Sequence, residues 1–124
     1  MRVATMNYVS SLINNTGLPC QYMHWNGALP VTYWTWEYTE SPSMTLNENG
    51  HQETTVILRG FTSGDWLVLE EGKETIEKAC GVTAILNNGT GVAVSYDSAM
   101  VVPTGDAQLK SIKINLTIQE WKVN

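Results

Sequence analysis

The stretch LKSIKINLTIQEW, Leu109–Trp121, decides how the rest of the chain is read. Ile112, Ile114, Leu116 and Ile118 alternate without a break with Lys113, Asn115, Thr117 and Gln119. A period of two places the first set on one face of a strand and the second on the other, so one face meets a core and the other meets solvent. A strand of this kind needs neighbours to pair with and helices to cover its apolar face.

Working backwards, VTAIL, NNGTG and VAVSYDS (82–98) read as two strands joined through a glycine turn. DWLVLEEGKETIEKACG (65–81) places Trp66, Leu69, Ile76, Ala79 and Cys80 near one helical face. Asp65 is positioned to cap that helix and Gly81 to stop it. Glu74 and Lys78 stand four apart in the orientation that favours an ion pair. Gly72 inside the helix costs about 1 kcal/mol against alanine and puts its regularity in question.

Upstream, TTVILRGF (54–61) and VTYWTWEYT (31–39) carry the β-branched and aromatic residues of strands. Cys20–Trp25 is a short extended segment before an Asn26-Gly27 turn. Val3, Met6, Val9, Leu12 and Ile13 recur at helical spacing up to about Asn15, before Gly17 and Pro19. The order of elements predicts an α+β fold, a single domain over 1–124, with a mostly antiparallel sheet and both helices packed on one face.

Composition narrows the function classes. The chain has 124 residues, 15% of them charged and 43% apolar, and no apolar run long enough to span a bilayer. The N-terminal residues lack the unbroken apolar centre of a signal peptide, which predicts folding in the cytosol. Cys20 and Cys80 form no CxxC pair, and without a secretion route two such cysteines are more often free thiols than a disulfide. A net charge of −5 with only seven scattered Lys and Arg argues against gripping nucleic acid through its phosphates.

Chemistry is hard to find. His24 and His51 form no ligand pair with a nearby Cys or acid, no phosphate-binding loop is present, and TSGD lacks the glycines of a nucleophile elbow. Glu70, Glu71, Glu74 and Glu77 are interleaved with Lys73 and Lys78 as on a solvated helix face. The expectation is a protein without catalytic residues, cofactor or metal. An enzyme would need an unfamiliar site, with His24 the place to look.

Two features remain as candidates for recognition. Tyr33, Trp34, Trp36 and Tyr38 crowd one strand, and Trp66 and Trp121 sit at element ends, where large rings seal a core edge or a subunit interface. An open row containing Trp34 and Trp36 would equally suit a small carbohydrate-binding module. The polar segment Glu40–Glu53, with Glu40, Met44, Leu46, Glu48, His51 and Glu53, is the candidate contact loop.

The element order, with LPVTYWTWEY, TTVILRGFTSG, DWLVLEEGKETIEKACG and the closing LKSIKINLTIQEW, resembles the tail terminator (tail completion, or tail-to-head joining) proteins of long-tailed bacteriophages. That resemblance implies a homohexameric ring in the tail or neck of the virion, made in the host cytoplasm. Such a ring caps the tail tube protein, stops its polymerisation and receives the head-completion or connector protein. DNA passes through the lumen as cargo without specific binding, and no membrane is involved. A head-completion stopper or a tube subunit is the neighbouring alternative.

Overall fold

The computed structural model describes residues 1–40 and 52–122. In chain order these form α1 (Val3–Asn14), β1 (Cys20–Tyr22), β2 (Thr32–Glu40), β3 (Gln52–Thr62), α2 (Leu67–Ala79), β4 (Val82–Ile85), β5 (Thr90–Val102) and β6 (Lys110–Lys122). One sheet holds all six strands in the order β1-β2-β3-β6-β5-β4. Neighbours run antiparallel except β1, which lies parallel to β2 at the edge. The fold class is the one the sequence predicts.

The centre of the sheet is the β3–β6 pair, in register from Gln52 opposite Glu120 to Thr62 opposite Lys110. Alternation does what its period requires: Val56 and Leu58 join Ile112, Ile114, Leu116 and Ile118 on the buried face, with Val92 and Val94 from β5. Both helices cover this face. From α1 come Thr5, Val9 and Ile13, spaced four apart, and from α2 come Leu69, Gly72 and Ile76.

The helix ends follow their local chemistry. Gly17 at φ +77° and Gly81 at φ +78° adopt the left-handed conformation that a side chain resists, and each turns the chain away after a helix. The Leu67 amide donates to Asp65 Oδ1 at 3.0 Å, so Asp65 caps α2 from just outside it. The ion pair on that helix is Glu70 with Lys73 at 2.8 Å, rather than the Glu74–Lys78 pair that spacing suggests.

Gly72 does not break α2, which runs unbroken from Leu67 to Ala79. Its reason is tertiary. The indole of Trp34, 1% exposed, lies between β3 and α2. A Cβ at Gly60 would stand 2.7 Å from Trp34 Cη2, and one at Gly72 would stand 2.5 Å from Cζ2. Both glycines are where the ring needs their missing side chains, and the helix carries its propensity cost so that the sheet and helix can close on a tryptophan.

Several boundaries differ from expectation. The extended segment that opens at Cys20 stops at Tyr22, because Met23 takes φ 71° and turns the chain. Strand β5 runs on to Val102, passing a register shift between Tyr96 and Ser98 that marks a β-bulge at Asp97. Helix α2 starts two residues after Asp65.

Candidate functional site

The aromatic residues separate into different environments once the strand is folded. Trp34 and Trp36, 1% and 5% exposed, belong to the chain's own core. Of the two places expected for these rings, core or interface, they take the core, and burial removes the ring faces that a sugar would stack on. Tyr38 shares their side of the sheet, with Tyr22 on β1 as its neighbour at 6.5 Å between ring centroids. Tyr22 also meets Trp36 edge-on at 4.7 Å.

Tyr33 points to the opposite face. There it stacks on Phe61 with centroids 5.1 Å apart, and Trp25 adds a third ring at 5.7 Å. Trp121 lies on that same face across from Gly91, close enough that a Cβ on the glycine would fall 2.2 Å from its indole. Trp66 precedes α2, and its indole N–H donates to Glu70 Oε1 at 3.1 Å. Of the six rings, four keep part of their surface on the outside.

The open face between the Tyr33 and Trp121 clusters is polar. Arg59 pairs with Glu37 across β2 and β3, and Asn115 Nδ2 donates to Ser98 Oγ at 3.1 Å. No basic cluster gathers here, since Lys113 and Arg59 are its cations among the described residues. Such a face suits neither phosphate binding nor an apolar docking plate.

Of the candidate contact loop, Glu40 and Glu53 are described, and Met44, Leu46, Glu48 and His51 lie outside the described residues. Glu40 ends β2, pairs with the Met1 amino group and accepts from Gln52 Nε2 at 3.1 Å. Glu53 stands exposed on β3 opposite Gln119.

Among the described residues, one carboxylate outside the predicted site residues is buried. Glu120 is 3% exposed and continues the buried alternation of β6 past Ile118. Its Oε2 accepts from the Arg2 amide at 3.1 Å and from the Thr5 hydroxyl at 2.6 Å. It thus caps the N-terminus of α1 from a strand over a hundred residues away, and the helix has no acidic residue in its own first turn. The periodicity was the available signal: position 120 falls on the even-numbered apolar face.

Both cysteines are free and border one apolar cavity of about 10 Å³, together with Ile13, Trp34, Ile76 and Leu116. A space of that size holds about one water at most, so it is a packing gap and not a ligand site. Burial pushes the Cys20 thiol up to about 12 and the Cys80 thiol up to about 11, with Glu77 adding to the latter. Thiolates are the reactive form, so at pH 8 native Cys20 should react with iodoacetamide roughly 1000-fold more slowly than in urea. Labelling followed by intact mass checks this, and equal native and unfolded rates would contradict it.

The two sheet edges are the least finished part of the molecule. On one side β4 pairs with Gly91–Val94 only, so Ser95–Val102 of β5 bond to β6 along one edge and, among the described residues, have no strand on the other. Met100 and Val101 are 55% and 63% exposed there. On the other side β1 covers only Trp34–Trp36 of β2 and itself forms the outer edge, with Tyr22 and Met23 exposed. Among the described residues there is no group of three or more His, Cys, Asp or Glu able to hold a metal ion. No helix among them is long and apolar enough to cross a membrane.

No protein-family model matches the sequence, and no curated protein matches it. The fold does have solved counterparts. It is similar to a chain in the virion of a native gene transfer agent (GTA) particle, with a TM-score of 0.69 over 89% of this chain and 84% of that one, at 12% sequence identity.

Proposed function

We propose that this protein is a structural component of a phage-like virion, acting as a tail terminator: a ring that caps the tail tube, halts its polymerisation and offers the opposite surface to the head connector. The observation that carries this reading is the fold itself, which matches a chain of the gene transfer agent virion along most of both lengths. That likeness supports a virion structural role, and the finer terminator role rests on the resemblance of the element order in the sequence.

The structure adds physical support. The deep aromatic residues serve packing, and the apolar gap beside Cys20 and Cys80 is too small for a substrate. Among the described residues, β1 and part of β5 leave bare strand edges, which are material for assembly. Because one edge belongs to β5 and the other to β1, contacts between them are heterologous, and such contacts close into a ring when the rotation per subunit divides the circle. The exposed acids Glu71, Glu74 and Glu77 on α2 and the net charge of −5 keep the protein from holding passing DNA.

Light scattering over a concentration series tests the reading, with negative-stain images of the same samples. The expected result is a ring of about six copies of the 13.7 kDa chain, formed alone or on the ends of its tail tubes. A chain that stays monomeric at every concentration and ignores tube ends would overturn it.

A further inference from the structure

The inference concerns how the copies join, and it rests on the ring reading above. We infer that the free edge of β5 pairs antiparallel with β1 of a neighbouring copy, over Ser98–Val101 on one side and Cys20–Met23 on the other, so that the sheets run continuously from subunit to subunit.

Direction comes from the topology. Strand β1 is parallel to β2, and three antiparallel steps, β2 to β3, β3 to β6 and β6 to β5, leave β5 running opposite to β1. Sheets that join edge to edge in a common orientation therefore bring β5 and β1 together antiparallel, which is also the stronger pairing.

The β5 edge is unguarded. Natural edge strands are usually blunted by lysines, prolines, bulges or covering loops. Here the bulge is at Asp97, and beyond it Ser98, Ala99, Met100, Val101 and Val102 contain neither a charge nor a proline before Pro103. Residues Ser98–Val101 are exposed on both faces of the strand. The receiving edge is uncharged from Cys20 to Met23 and carries apolar surface of its own, with Tyr22 40% and Met23 56% exposed.

Face matching fixes the register to alternate residues. Ala99 and Val101 lie opposite Ile114 and Ile112, on the helix-covered side, and Cys20 and Tyr22 lie beside Trp34 and Trp36 on that same side. Placing Val101 against Cys20 and Ala99 against Tyr22 keeps each side chain on its own face. Just beyond these stretches stand Asp97, at the bulge, and His24, after the Met23 turn, both exposed. These are the first charged or titratable side chains beyond the two uncharged stretches, so a carboxylate has an imidazole N–H to accept from at the point where both strands leave their straight course.

Lysine at the edge is the test, with light scattering for mass and circular dichroism for fold. Val101→Lys and Ala99→Lys change exposed side chains, so both variants should fold. The expected result is a rise of at least about tenfold in the concentration for half-assembly. Glu74→Lys on the exposed face of α2 makes a larger change in net charge and should assemble like wild type. Asp97→Lys should weaken assembly and His24→Glu should restore it in the double variant. If wild type forms rings and folded Val101→Lys and Ala99→Lys form them equally well, the edge pairing is wrong and the ring reading stands. If wild type never assembles, alone or on tube ends, both fall.

Discussion

Replacing Trp34 with alanine lowers the unfolding free energy by about 3–5 kcal/mol, a large part of the 5–15 kcal/mol that a domain of this size has. The ring is 1% exposed and forms the contact layer between β3 and α2, so its removal opens a cavity where sheet and helix meet. Its neighbours cannot collapse into the space without moving a whole helix. The more discriminating change is Gly72→Ala. Helix propensity alone favours alanine by about 1 kcal/mol, yet the new Cβ would lie 2.5 Å from Trp34 Cζ2, and overpacking of this kind costs about 1–3 kcal/mol. The variant is expected to be less stable than wild type despite its better helix former. Urea denaturation of the single variants and of Trp34→Ala/Gly72→Ala forms a cycle in which the double variant should be more stable than the sum of its parts predicts. Additive losses, or a Gly72→Ala protein more stable than wild type, would contradict the contact.

Glu120→Ala is expected to cost about 2–4 kcal/mol, because it strips the buried Thr5 hydroxyl and the half-buried Arg2 amide of a charged acceptor that ties the start of α1 to β6. The Arg2 amide and the Thr5 hydroxyl lose their shared oxygen, and nothing in the first turn of α1 can replace it. Glu120→Gln keeps an acceptor of the same shape and gives up only the charge facing the helix N-terminus, so it should cost about 1 kcal/mol. Chemical denaturation ranks the three proteins. A Glu120→Ala protein as stable as wild type would show that the carboxylate's burial cancels what its hydrogen bonds contribute.

Much of this was legible because it depended on local spacing. The period of two in Leu109–Trp121 forecast a half-buried strand and named its core residues, and Gly17 and Gly81 marked helix ends that need a left-handed residue. The aromatic strand was legible in form, with its rings expected in a core or an interface: Trp34 and Trp36 fill the core, and Tyr33, Tyr38, Trp66 and Trp121 keep part of their surface outside. Alternation shows that two rings share a face but not which face the helices cover. Strand β5 runs on beyond the VAVSYDS segment that the sequence marks as a strand, and a bulge absorbs Asp97 without ending it. Its open edge, the basis of the assembly model, follows from β4 being too short to cover it.

The sequence by itself determined the element order, the two-helix, one-sheet class, the apolar face of β6 and the positions of the helix stops. Each of these is set by the conformational preferences and periodicity of residues a few positions apart. Only the tertiary structure decided why α2 tolerates Gly72, where Glu120 finds its partners, and which strand edges stay bare. Those depend on residues brought together across the chain, such as Trp34 with Gly72 or Glu120 with Thr5, and a contact between distant residues leaves no periodic signal in either segment.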